Sequence, residues 1–273
     1  MLGQHPQFMG LAEINLFLDD WIRPMHRKFE LKGRGYAKSG LLRVLAQLMF
    51  GRQAQGTIAR AKWWLYREDR STQEVLDTII DLAHPLAIID KSPATVMDAA
   101  ALQRMHRMCP DAHYLHLTRH PRSCGASMLS LVDRRGVWAG RIPASAINPE
   151  NLWLEAQVNI LEFCNKLPAG QARRIRGEDL LSDPEFHFTQ IFEWLGARTD
   201  PEALRETMHP ENSPYAGPGP ENAKWGNDPN FMQNPEFRPG KVIPPKLSGP
   251  LPWNQERGFL PETVKVAKLL GYN

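Results

Sequence analysis

The sequence predicts an α/β fold built on a parallel central sheet. Three observations carry that prediction. First, the strand candidates "PLAIID" (85–90), "AHYLHLT" (112–118) and a short stretch within "ARRIRGEDLL" (172–181) alternate with segments of helical periodicity. Second, "PLAIID" is continuously apolar rather than alternating, as expected of a strand covered on both faces. Third, each strand candidate ends in a charged cluster, where open parallel sheets bind their ligands.

The helices follow in order. "SGLLRVLAQLMFG" offers Ser39 as an N-cap and places Leu41, Leu42, Leu45, Leu48 and Met49 on one face. "STQEVLDTIIDLA" sets Ser71 and Glu74 at capping-box spacing, with Val75, Leu76, Ile79 and Ile80 as its stripe. "AAALQRMHRM", "RSCGASMLSLV" and "NLWLEAQVNILEFCNKL" are helical. "SDPEFHFTQIFEWLG" starts at Ser182 or Asp183 beside Pro184, carries Phe188, Ile191, Phe192 and Leu195 as its stripe, and stops at Gly196. From 199 to 260 prolines and glycines crowd in, which predicts a loop region wrapped on the core. The helix "PETVKVAKLLG" follows.

Composition narrows the function. The chain has 273 residues, 42% hydrophobic and 23% charged, the profile of a soluble globular protein. It is read as one domain, 1–273. A net charge of +3 suits an anionic small ligand and is too weak to argue for nucleic acid. Cys109, Cys124 and Cys164 are odd in number and widely spaced. They suggest neither a disulfide framework nor a cysteine metal site, and favour a reduced, cytoplasmic setting. No stretch has the roughly 20 apolar residues of a membrane span, and no signal peptide is visible.

The charged clusters are Asp90-Lys91-Ser92-Pro93, Arg119-His120-Pro121-Arg122 and Arg176-Gly177-Glu178-Asp179. Each alone reads more readily as an ordinary solvated loop. Three on one sheet edge, two of them basic, point to a shared anionic ligand.

At these residues the chain resembles the sulfotransferases that use 3′-phosphoadenosine 5′-phosphosulfate (PAPS), with features of the heparan-type and polyketide-associated enzymes. The resemblance implies a three-layer sandwich related to the P-loop NTPases. It covers most of the chain to about 197, the "GNDPNF" loop and "LLGY". Arg119, Pro121 and Ser127 match the family's 3′-phosphate motif. Arginine offers a planar fork to phosphate oxygens, and the helix start adds N–H donors. The competing reading makes Arg119 and Arg122 surface ion-pair residues. "DKSP" matches the segment whose lysine, here Lys91, approaches the 5′ phosphosulfate, with Asp90 as a partner that orients it. "LGQHPQFMGLAEINLF" matches the segment that places the base, which makes Glu13 the base and His5 the alternative. Glu13 also reads as a first-turn helix acid. Lys224, Trp225 and Asn230 fall where relatives close a loop over the donor. Gly177 replaces an aromatic that frames the adenine, and Glu178 and Asp179 are read as structural.

The resemblance also implies a first strand and a "P-R-S-G-T/S-T" loop, and neither is found. A fragment, a remnant that no longer binds donor, and a loop supplied from elsewhere are the explanations, the first preferred. The implied function is sulfuryl transfer without a metal, to a small-molecule, lipid or carbohydrate hydroxyl, with residues 16–70 as a helical cap on the acceptor side. The alternative is a non-catalytic binding module. A nucleotide kinase is disfavoured because no "GxxxxGK[ST]" loop occurs.

Overall fold

A computed structural model describes residues 1–134 and 147–273. In chain order its main elements are β1 (Phe8–Gly10), α1 (Ile22–Leu31), α2 (Ser39–Phe50), α3 (Gln55–Arg67), α4 (Thr72–Ala83), β2 (Ala87–Ile89) and α5 (Ala99–Met108). There follow β3 (Tyr114–Thr118), α6 (Pro121–Arg134), α7 (Pro149–Cys164), β4 (Ala172–Arg176) and α8 (Gly177–Ser182). The remaining helices are α9 (Pro184–Trp194), α10 (Pro201–Thr207), α11 (Pro229–Gln233) and α12 (Pro261–Leu269). None of the described helices is long and apolar enough to cross a membrane.

The chain divides into two compact units, residues 1–110 with 188–238, and residues 111–187 with 239–273. The proline- and glycine-rich stretch is shared between them. It contains α10, α11 and short 3₁₀ turns.

In the first unit β1 and β2 pair in parallel, Phe8 opposite Ala87 and Gly10 opposite Ile89. Helices α1 to α4 supply the core. Leu41, Leu42 and Leu45 of the predicted α2 stripe are buried with Ile58, Leu65, Val75, Leu76 and Ile79, while Leu48 and Met49 are only partly covered. Ser39 does not cap α2. Its N–H closes a 3₁₀ turn onto the Tyr36 carbonyl, and that turn runs directly into the helix. The capping box of α4 forms as predicted: Ser71 Oγ accepts the Glu74 N–H at 3.2 Å, and Glu74 Oε2 accepts the Ser71 N–H at 2.7 Å.

In the second unit β3 and β4 pair in parallel, from Tyr114 opposite Ala172 to Thr118 opposite Arg176. Its core gathers Trp153, Leu247, Ala267, Leu270 and Tyr272. Helix α7 begins two residues before the predicted start, because the Asn148 side chain accepts the N–H groups of Glu150 and Asn151. Asp183, not Ser182, caps α9 by accepting the Phe186 N–H at 3.2 Å. Gly196 ends that helix at φ 66°.

Among the described residues, parallel pairing thus takes the form of two two-stranded sheets. The Asp90–Pro93 cluster follows β2 in the first unit. The Arg119 and Arg176 clusters follow neighbouring strands β3 and β4 in the second.

Candidate active site

The β1–β2 pair ends with two segments running on together. Leu11 continues the ladder by donating to the Ile89 carbonyl at 2.9 Å. Glu13 then lies outside any helix, so it is not a first-turn helix acid. Lys91 Nζ meets Glu13 Oε1 at 2.5 Å, joining residues 78 apart in sequence. The pair is open to solvent, with 58% of the lysine side chain and 25% of the glutamate side chain exposed. Exposed ion pairs add little stability, about 0–1 kcal/mol. Lys91 uses one of its three donors here. Glu13 Oε2 has no hydrogen-bond partner among the described residues.

The backbone under Glu13 is fixed from several sides. Its N–H donates to the Gly226 carbonyl at 2.7 Å. Asn15, held left-handed at φ 55°, donates its side-chain amide to the Ala37 carbonyl and its N–H to Ser92 Oγ at 3.0 Å. Ser92 Oγ in turn donates to Asp90 Oδ1 at 2.9 Å. Burial pushes Asp90 up to about 6, against hydrogen bonds from the Ser92 hydroxyl and the Ile14 N–H. Asp90 therefore ties the two loops together rather than gripping the Lys91 ammonium. Gly40 allows the close approach: a Cβ there would lie 2.0 Å from the Glu13 carbonyl oxygen. His5 is engaged at both nitrogens. Nδ1 accepts the Gln7 N–H at 3.1 Å, which leaves Nε2 to donate to the Arg198 carbonyl at 2.9 Å.

The 217–226 loop belongs to the same unit. Arg43, a lone cation on the apolar helix α2 and 2% exposed, organises it. It donates to the carbonyls of Gly217 at 2.8 Å and Trp225 at 3.4 Å, and to Gln53 Oε1 at 2.6 Å. Burial lowers its pKa. Trp225 is thereby placed one residue from the Gly226 carbonyl that receives Glu13. Lys224 Nζ stands 5.7 Å above the Trp225 ring. Asn230 is exposed in the first turn of α11. Sequence reading missed Arg43, Asn15 and Gly40. Only the arginine inside an apolar stripe was a usable signal.

Arg119 and Ser127 belong to the second unit. Arg119 follows β3 directly, and its side chain is exposed with no hydrogen bond or ion pair among the described residues. Its carbonyl accepts Trp153 Nε1 at 3.0 Å. Helix α6, 14 residues long, starts two positions later. Ser127 is half-buried within it, and its hydroxyl has no hydrogen-bond partner among the described residues. Arg122 is committed elsewhere. It donates to the carbonyls of Lys246, Ser248, Gly249 and Pro250 and lies over the Phe259 ring.

Glu178 and Asp179 order the turn. Buried Glu178 accepts the His120 N–H at 2.9 Å and the Tyr272 hydroxyl at 3.0 Å. Asp179 holds Arg176 through two bonds of 2.7 and 2.8 Å. Gly177 has a packing cause: a Cβ would lie 3.3 Å from the Thr118 carbonyl oxygen, tighter than an ordinary contact.

An anion suits the start of helix α6. Arg119, with no ion-pair partner among the described residues, and the Ser127 hydroxyl accompany a helix start whose N–H dipoles favour negative charge. The first unit separately carries the acid–lysine pair at the end of its own strand pair.

The sulfotransferase family model matches residues 1–201, and the chain belongs to that family of sulfuryl-transferring enzymes. Two solved structures share the fold. The sulfotransferase domain from the curacin biosynthetic pathway aligns with TM-score 0.73 at 22% identity, over 100% of this chain and 91% of that one. The sulfotransferase domain of the Synechococcus PCC 7002 olefin synthase aligns with TM-score 0.73 at 23% identity, over 100% of this chain and 88% of that one. No match was found among curated proteins.

Proposed function

We propose that the protein moves a sulfuryl group from PAPS to the hydroxyl of an acceptor. The observation that carries this reading is the Lys91–Glu13 pair at the carboxyl ends of β1 and β2. When bound, PAPS supplies the activated sulfuryl group. Glu13 takes the proton of the acceptor hydroxyl through its unpartnered oxygen as the acceptor oxygen bonds to sulfur. Lys91 turns its remaining N–H donors to the phosphate oxygen that gains charge as its bond to sulfur breaks. Arg119 and Ser127 hold the 3′-phosphate, the first by its planar fork and the second by its hydroxyl. Lys224 and Trp225 contribute to donor binding from the loop that Arg43 fixes. Such transfer depends mainly on positioning and electrostatics, so the residues named suffice without a metal.

The helices of residues 16–70 are proposed as the acceptor side, for a small-molecule, lipid or carbohydrate alcohol. The family assignment does not favour the non-catalytic reading. The test is to incubate the protein with PAPS and a panel of such alcohols, and to measure the desulfated product 3′-phosphoadenosine 5′-phosphate (PAP). Release that depends on one acceptor class supports the proposal. No release with any class, together with no measurable PAP binding, contradicts it.

A further inference from the structure

We infer that Tyr272, in the segment after α12, is a positioning residue for Arg119 and so sets how strongly the donor's 3′-phosphate is recognised. The inference rests on the reading of Arg119 given above. Tyr272 is 1% exposed, and its phenol reaches the residues on both sides of Arg119. It lies 3.1 Å from Thr118 Oγ1, on one side. It donates to Glu178 Oε2 at 3.0 Å, and the other oxygen of that carboxylate accepts the N–H of His120, on the other side, at 2.9 Å. One hydroxyl therefore joins the last residue of β3 to the peptide that opens the turn.

The surroundings make this network demanding. Thr118, His120, Glu178 and Tyr272 are all buried, between 0% and 5% exposed. Glu178 has no ion-pair partner among the described residues, so its hydrogen bonds compensate its burial. The Tyr272 ring also stands edge-on to His120, with centroids 5.3 Å apart and planes at 84°. Arg176 donates to the Gly271 carbonyl at 2.7 Å while paired to Asp179, which fixes the residue before Tyr272. Within the turn, His120 Nδ1 accepts the Arg122 N–H at 3.1 Å.

The guanidinium thus has no partner among the described residues, while the backbone that carries it is bound through Thr118, its own carbonyl and His120. A fork-shaped contact to phosphate depends on orientation, and its support decides how much of its strength is realised. Loss of the phenol hydroxyl leaves a buried Glu178 oxygen short of its partner, and leaves Thr118 Oγ1 only its long 3.4 Å bond to the Ile175 carbonyl. The turn then relaxes, and the arginine loses its aim without being altered.

Calorimetric titration with PAP and with adenosine 5′-monophosphate, which lacks the 3′-phosphate, tests this on the full chain. Arg119→Ala is expected to erase most of the preference for PAP. Tyr272→Phe is expected to weaken PAP about 5-fold and leave the monophosphate unchanged. A purely structural tyrosine would weaken both ligands together or neither. If Arg119→Ala abolishes the preference and Tyr272→Phe leaves it intact, the inference about Tyr272 fails and the Arg119 assignment stands. If Arg119→Ala leaves the preference intact, the Arg119 assignment fails and this inference falls with it. Should Tyr272→Phe melt below the assay temperature, Thr118→Val removes the other hydroxyl of the contact at nearly constant shape. It is expected to lower the preference in the same way, and an unchanged preference overturns the inference.

Discussion

The two strand pairs use charge in opposite ways. After β1 and β2, Glu13 and Lys91 neutralise each other across an open ion pair. After β3, Arg119 projects with no ion-pair partner among the described residues, while Arg122, three positions on, is bound by four main-chain carbonyls. A mutually neutralised pair can exchange protons and charge as a bond changes. An arginine with no ion-pair partner among the described residues keeps its full set of donors for an anion. The two arginines of one cluster differ as sharply, the second serving as a clamp on the 246–250 loop.

Removing the carboxylate should have the largest effect. Glu13→Gln should lower the PAPS-dependent transfer rate by about 10²- to 10⁴-fold, the range of general base catalysis. Arg119→Ala should follow, weakening PAP by about 10- to 100-fold, as expected for a charge-assisted hydrogen bond of about 1.5–3 kcal/mol. Arg122→Met should give the reverse pattern. Thermal melting should show a loss of about 2 kcal/mol, while the preference for PAP over the monophosphate stays as it was.

Acid should act mainly through buried histidines. Burial holds His120 down at about 4 and His26 at about 3, whereas unfolding returns both toward 6.5. The unfolded chain then binds more protons, so stability falls as pH drops from 6.5 toward 4. Asp90, pushed up to about 6, works in the opposite direction between its ordinary 3.8 and 6. Two histidines outweigh one aspartate, so melting temperature should fall from pH 7 to 4.5, and His120→Asn should reduce that fall. A flat profile would count against this assignment. The smallest effect should come from Ser71→Ala, about 1 kcal/mol in a denaturation curve, through loss of the α4 cap.

The sequence made some of this legible and hid the rest for physical reasons. Helix α4 announced itself because its stripe and cap occur together. Strand β3 is five residues long, and α6 opens on Pro121, which cannot extend a strand ladder. By contrast, β1 is three residues long, too short to show a period. Without β1 nothing brought Glu13 toward Lys91 except family resemblance. Helices α1 and α3 begin after Trp21 and Ala54, neither of which provides a side-chain cap. The difference between Arg119 and Arg122 was invisible, because the acceptors that hold Arg122 are carbonyls more than a hundred residues away.

The most direct test of the account is a paired measurement on Glu13→Gln, of transfer rate at saturating PAPS and of PAP affinity. With Glu13 as the base, the rate falls by at least about 10²-fold while PAP affinity stays unchanged. A rate within a few-fold of the unaltered protein would contradict it, because Glu13 would then not be the base.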